Sequence, residues 1–278
     1  MRLVICGARG STPSPGPDFV RYGGNTSCVA LTHGDEAPRL VLDAGTGLPN
    51  ATALLKGEPF RGTILLGHLH WDHTHGLPFF AAGDLPGGRA ELVVPSQGNP
   101  EDLMERILSP PHFPVTIHQL RGDWSVRNIE AGEHELEGFS ILALDIPHKG
   151  GRMLGYRITD GSTTIAYVSD HSPVAFGPGP DGLGDYHDAI CTLSDGVDLL
   201  IHDAQHTAEE FEQRASFGHA AIEYAVGLAS ASKARRLLLF HHDPARSYDE
   251  LDAIAVEAGR SNSKVEGAIE GSTISLGD

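Results

Sequence analysis

The sequence predicts a layered α/β chain, on three observations. Short apolar runs recur at 63–67, 139–146, 163–168, 197–201 and 236–240, and each leads into His or Asp within a few residues. Stretches of helical pattern at 101–108, 208–214, 220–230 and 247–258 alternate with them. Gly and Pro, 34 and 18 of 278 residues, punctuate the connections as tight loops.

Composition narrows the partners. An apolar fraction of 40% supports a substantial core, and the absence of an 18-residue apolar run predicts no transmembrane helix. The first residues enter a strand at once, without the h-region of a signal peptide. Cys6, Cys28 and Cys191 are odd in number and scattered, which predicts buried free thiols and a cytoplasmic protein. The formal charge is −17, with no cluster of Lys and Arg. Such a surface disfavours long nucleic acid but leaves a small phosphate ester open, and two bound divalent ions would offset about four units of the charge. The 16 His make sense as a set only beside metal.

Taken in order, the first strand (3–7) runs into the Gly/Pro segment 8–17, an ordered loop suited to the rim of a site. Arg9, Arg21 and the turn 23–27 lie near it, as solvated loop residues or as contacts for an anion. Strands at 28–32 and 39–42 follow. Asp43, at the end of the second, either hydrogen-bonds a metal-ligating imidazole from behind or serves as a turn and cap for a helix at 50–55.

The run 63–67 then delivers His68-Leu69-His70-Trp71-Asp72-His73. On an extended backbone His68, His70 and Asp72 project to one side, and His73 joins them only if the chain turns. Two imidazoles, a carboxylate and a third imidazole at a strand end suit two neighbouring divalent cations. A helix is expected to begin near Leu77. A strand at 91–94, a helix at 101–108 and strands at 115–119 and 125–128 follow. His112, His118 and His134 fall there without a second ligand nearby and read as ordinary histidines.

The strand 139–146 ends ahead of Pro147-His148, a histidine placed by a rigid element. Strands 155–159 and 163–168 form a hairpin through Asp160-Gly161, and the second ends in Ser169-Asp170, a carboxylate able to bridge two ions. Residues 176–184 are a lid or a long connection. The strand 197–201 ends in His202-Asp203, and the helix 208–214 leads to His219 at the start of the helix 220–230. The strand 236–240 ends in His241-His242, either of which could be a ligand. A helix at 247–258 and a strand at 273–276 close the chain.

The order HxHxDH, His, Asp, His is similar to that of the metallo-β-lactamase-fold hydrolases, along almost the whole chain. The resemblance implies a single domain, 1–278, folded as an αββα sandwich of two mixed sheets flanked by helices. It implies that His68, His70 and His148 hold one metal and Asp72, His73 and His241 a second, with Asp170 bridging. The ions would be zinc, with manganese or iron also accepted by such a set. Gly10-Ser11-Thr12-Pro13 with 23–27, His202-Asp203-Ala204-Gln205 and Gly218-His219-Ala220 resemble motifs of the tRNA 3′-processing endonucleases (tRNase Z) and related cyclic phosphodiesterases. Aligned on that branch, His241 rather than His242 is the ligand. Asp72, Asp203 and His219 become the catalytic residues, with His219 as general acid kept basic by Asp203. Ala220-Ala221 departs from the branch, which has hydroxyls there. The function expected is hydrolysis of a small (cyclic) phosphodiester by metal-activated water. The alternatives are a thioesterase or lactonase, then a tRNA endonuclease or a non-catalytic metal-binding module. The sequence leaves homo-oligomerisation open.

Overall fold

The computed structural model of the protein describes residues 1–261 and 264–277. Short apolar runs build two sheets. The first contains β1 (Arg2–Gly7), β2 (Cys28–Thr32), β3 (Leu40–Leu42), β4 (Arg61–Leu65), β5 (Arg89–Pro95) and β6 (Asp123–Ile129). The second contains β7 (Gly132–Leu136), β8 (Phe139–Ile146), β9 (Met153–Thr159), β10 (Thr164–Val168), β11 (Leu199–Asp203), β12 (Leu237–Phe240) and β13 (Val265–Gly267). The last strand, β14 (Thr273–Ser275), returns to the first sheet beside β1. The strand orders are β14-β1-β2-β3-β4-β5-β6 and β13-β12-β11-β10-β9-β8-β7.

The two sheets share one pairing scheme. In the first, β14 to β3 pair antiparallel and β3 to β6 parallel. In the second, β7 to β10 pair antiparallel and β10 to β13 parallel. Side chains alternate between two buried layers, as a period of two requires. Leu3, Ile5, Val29 and Leu31 face Ile165, Tyr167, Ile201 and Phe240 between the sheets. Val4, Cys6, Cys28 and Ala30 face outward with Leu48, Ala51 and Met104, while Ala166, Val168, Leu200 and Leu239 pack with Tyr224, Ala225 and Leu228. Burial on both faces explains why these strands read as unbroken apolar runs. Helices therefore cover both outer faces, giving an αββα sandwich.

The helices are α1 (Ala51–Leu54), α2 (Pro100–Ile107), α3 (Asp188–Ser194), α4 (Ala208–Arg214), α5 (Ile222–Ala231) and α6 (Tyr248–Ser261). Local chemistry starts several of them. Asn99 accepts the Glu101 N–H at 3.0 Å with Pro100 in the first turn, and Thr207 and Glu210 form a reciprocal cap on α4. Among the described residues no helix is long and apolar enough to cross a membrane.

Several expectations are corrected. Residues 115–119 are not a strand: Ile117–Gln119 is a 3₁₀ turn, because Gln119 Oε1 accepts the Thr116 N–H at 2.8 Å and closes a local cap. The helix expected near Leu77 is a single 3₁₀ turn, Leu77–Phe79, which ends as Phe80 leaves helical geometry. Three short elements, β7, α3 and β13, had no expectation. β7 alternates Glu133, His134 and Glu135 and lies at a sheet edge, where charge is tolerated. The three cysteines are free, but Cys191 is exposed on α3 rather than buried.

Phe139 is fully buried between the sheets with His33 stacked on it, ring centroids 4.0 Å apart. Phe139→Ala is expected to cost about 3–5 kcal/mol, read as a lower urea midpoint at unchanged slope. Phe139→Leu, which keeps most of the volume, is expected to cost less.

Candidate metal centre

The ends of β3, β4, β8, β10, β11 and β12 converge on one rim of the sandwich. β4 stops at Leu65, so His68 and His70 ride on a connection beyond the strand. The extended backbone expected through Asp72 is corrected as well: Trp71–His73 is a 3₁₀ turn following an extended His70. That turn buries Asp72 and His73 and leaves Trp71, just ahead of them, 69% exposed.

The structure brings together all seven residues that the resemblance names as ligands. His68, His70, His148 and Asp170 offer one set of ligand atoms, and Asp72, His73, Asp170 and His241 a second, each within 4.8 Å. Asp170 belongs to both. Its Oδ2 lies 3.7 Å from His68 Nε2, 3.6 Å from His148 Nε2 and 3.4 Å from His241 Nε2. Its Oδ1 lies 3.0 Å from His73 Nε2. Asp72 Oδ2 lies 3.3 Å from His73 Nε2 and 3.1 Å from His241 Nε2.

These residues fit divalent cations. Both ring nitrogens of His68, Nε2 of His73 and Oδ1 of Asp170 are buried without an aligned hydrogen-bond partner. Orphaned polar atoms of this kind are costly unless something binds them. Ligand bonds of about 2.0–2.1 Å around a tetrahedral ion place the ligand atoms about 3.3 Å apart, close to the spacings here. A set of imidazoles with carboxylates suits zinc and its neighbours rather than magnesium or calcium. The electrostatics agree. Burial acts to raise Asp170 and Asp72, yet the surrounding imidazoles outweigh it and hold both below the usual carboxylate range. Burial, aided by the His73 charge, pushes His68 down.

A second layer of hydrogen bonds aims the rings. Asp43 Oδ2 accepts from His73 Nδ1 at 2.8 Å and from the Tyr167 hydroxyl at 2.7 Å, and Oδ1 accepts the Gly67 N–H at 2.7 Å. It makes no cap to the helix that follows. His148 Nδ1 donates to the Gly218 carbonyl at 2.8 Å. Gly218 has φ +97°, and a Cβ there would press on Lys149 and His148.

Asp203 and His219 meet as expected, with His219 Nδ1 donating to Asp203 Oδ2 at 3.1 Å. The same oxygen accepts the N–H groups of His171 and Ala220 at 3.0 and 3.1 Å, and Oδ1 accepts that of Gln205 at 3.1 Å. The backbone of Ala220 thus contributes where the related motif has a hydroxyl residue beside the histidine. His219, with Ser11, His70, Asp72, His148 and Asp170, lines a cavity of about 390 Å³ over the cluster.

The N-terminal loop belongs to this rim. The Ser11 N–H donates to Asp72 Oδ2 at 2.7 Å, and a Cβ on Gly10 would fall 2.3 Å from His241 Nδ1. Arg9, expected to be solvated or to meet an anion, is instead 1% exposed and donates to the carbonyls of Gly23, Asp243 and Arg246. His242 faces away from the cluster and donates from Nε2 to the Ala268 carbonyl at 2.9 Å.

Sequence reasoning missed a chain of three more imidazoles. His202 Nδ1 donates to the Asp203 carbonyl at 2.7 Å, leaving Nε2 to accept from His171 Nδ1 at 3.2 Å. His171 Nε2 then accepts from His187 Nε2 at 3.0 Å, and His187 Nδ1 accepts the Ile190 N–H at 3.4 Å. All three rings are neutral in this polarity, and burial pushes each pKa down. Neither His171 nor His187 carries a spacing signal, because each partner lies many residues away. His206, 1% exposed with neither ring nitrogen partnered, sits 6.0 Å from His219 between ring centroids.

Residues 39–242, from just ahead of Asp43 to just past His241, match the sequence profile of the beta-lactamase superfamily domain. The chain is 25% identical to the ribonuclease Z of Natronomonas pharaonis over 283 aligned residues, covering 87% of this chain and 86% of that protein. The metallo-beta-lactamase fold protein YhfI from Bacillus subtilis superposes with a TM-score of 0.72 at 21% identity, with 99% of each chain covered. A diphosphatase of the PhnP family superposes with a TM-score of 0.72 at 16% identity, with 99% of this chain and 97% of that chain covered.

Asp43→Asn puts an amide where three donors now converge, so at least one loses its acceptor. Zinc affinity is expected to fall about 10- to 100-fold, measured by competition with a chromogenic chelator, with the circular dichroism spectrum unchanged.

Proposed function

This chain belongs to the beta-lactamase superfamily and is a hydrolase of the metallo-β-lactamase fold, and we propose that it is a dinuclear phosphodiesterase acting on a small phosphodiester. His68, His70 and His148 would hold one ion and Asp72, His73 and His241 the other, with Asp170 within reach of both sets; zinc suits the donors best, with manganese or iron as substitutes. Bound there, two divalent ions would supply an activated water and neutralise the phosphoryl oxygens. The observation that carries the reading is the Asp203–His219 pair beside that cluster.

Asp203 is fixed by three backbone N–H groups, so its position does not depend on His219. With Nδ1–H given to Asp203, the proton available for transfer sits at His219 Nε2. When the P–O bond breaks, the leaving oxygen takes that proton, the step an alkoxide leaving group needs and a thiolate does not. Asp203 keeps the ring oriented for that transfer. The His202–His171–His187 chain stiffens the backbone that carries Asp203.

The cavity of about 390 Å³ has the scale of a small ligand, and no Lys or Arg lines it to follow a polyanion. RNA cleavage is the second reading, favoured by the ribonuclease Z relatives. The sheets bury one shared core, which supports a single domain over 1–278, and three free thiols support a reducing, cytoplasmic setting.

The test is hydrolysis of bis-p-nitrophenyl phosphate and of a 2′,3′-cyclic nucleotide by zinc- or manganese-loaded protein. Asp72→Ala is expected to abolish both activities, and His219→Ala to slow the cyclic nucleotide by about 10²-fold or more. The effect on the p-nitrophenyl ester should be smaller, since its leaving group needs less protonation. Turnover of a thioester or lactone with no phosphodiester activity would overturn the reading, and cleavage of a structured RNA alone would favour the second. Metal analysis is expected to give two ions per chain for the wild type and about one for His241→Ala.

A further inference from the structure

A second and larger cavity, about 600 Å³, opens beside the metal centre between the 3₁₀ turns at 71–79 and the segment 104–117. We propose that it is a subsite for the planar heteroaromatic base of a nucleotide substrate, a proposal that rests on the phosphodiesterase reading and adds the substrate class. Three observations carry it.

Trp71 lines both cavities. Its neighbours in sequence, His70 and Asp72, lie in the metal cluster, so a group held against Trp71 is tethered within a residue's length of the reacting centre. Trp71 is 69% exposed and Phe79 is 62% exposed. Large aromatics left open at the mouth of a catalytic cleft offer apolar faces to a ligand rather than to the core.

The aromatic side chains are arranged as walls. Trp71 stacks on His75 with centroids 5.6 Å apart and planes 20° apart, while Phe79 meets Phe113 edge-on at 5.9 Å and 88°. Flat π-surfaces near an anion-processing site are how proteins hold bases without reading their sequence.

The charge of the lining is the third. The chain carries 37 Asp and Glu, yet none lines this cavity, whereas Arg106, His75 and His112 do. Arg106 is exposed and pairs with no carboxylate among the described residues. Its planar guanidinium can stack on a base or donate to ring nitrogens and carbonyl oxygens. A purely apolar occupant would leave these polar groups unused.

Two measurements on the zinc-loaded protein test the assignment. In the first, kcat/KM is compared for adenosine 2′,3′-cyclic phosphate and for methyl riboside 2′,3′-cyclic phosphate, which lacks a base. The base-bearing substrate is expected to be preferred by roughly 10-fold or more, and the ratio to fall toward one in Phe79→Ala and Phe113→Ala. Phe79 is exposed, so its variant tests the subsite even where Phe113→Ala folds poorly. In the second, adenosine is titrated against intrinsic fluorescence, Trp71 being open and Trp124 buried. Saturable quenching that disappears in Trp71→Phe and weakens about 10-fold in Phe79→Ala is expected.

Adenosine binding at Trp71 without phosphodiester turnover keeps the subsite and sinks the phosphodiesterase reading. Turnover with equal kcat/KM for the two cyclic phosphates and no adenosine quenching overturns the subsite and leaves the reading intact. Quenching by an apolar dye but not by adenosine overturns it in favour of an apolar partner.

Discussion

The rim of this sandwich depends on one buried carboxylate. Asp170 is 1% exposed and has five imidazole nitrogens within 3.7 Å, from His68, His73, His148, His219 and His241. An anion there survives only if positive charge stays beside it, because burial alone would force it to take up a proton. These six groups come from five separated segments, so the charge requirement ties the ends of β4, β8, β10 and β12 and the approach to α5 together at one rim. Its location has a topological reason. β10 is where the second sheet changes from antiparallel to parallel pairing, and open sheets place their clefts at such changes.

Around that carboxylate, precision comes from donors whose polarity is fixed. His73 is aimed by Asp43, which the Tyr167 hydroxyl and Gly67 amide hold from two other sides. His148 is aimed by a backbone carbonyl that only a left-handed Gly218 can present. On the far side, three neutral histidines run from Ile190 to the Asp203 carbonyl in one direction, with no donor facing a donor. Reversing the fully buried His171 ring would leave two contacts mismatched, at a cost of about 1–3 kcal/mol each. The site is therefore supported on both flanks by bonds that cannot slip singly.

The legible parts of the chain were those in which sequence neighbours share a physical task. Apolar runs ending in His or Asp named the strand ends, and HxHxDH placed four polar side chains within a few ångströms by covalent connection alone. Legibility failed where the partner lay far along the chain. Arg9 looked like a loop cation, but the Gly23, Asp243 and Arg246 carbonyls that bury it come from two distant loops. Nothing in the sequence singles out His171, because its partners are 16 and 31 residues away. The 3₁₀ turn at 71–73 was hidden for a different reason. Period-two spacing of His68, His70 and Asp72 suggested a strand, whereas burial of the adjacent Asp72 and His73 required a turn.

A formal charge of −17 opposes a substrate that is itself an anion, and the resolution lies in where the carboxylates stand. Those at the centre, Asp72, Asp170 and Asp203, are consumed by imidazoles and backbone amides. Many of the others are exposed, where solvent and salt screen them beyond about 10 Å. The adjoining aromatic cavity has no acid in its lining. A small anion approaching from solvent would meet neither a repelling wall nor the continuous basic track that a long polyanion needs. Placement of charge rather than its total thus supports a short, compact phosphodiester over an extended strand.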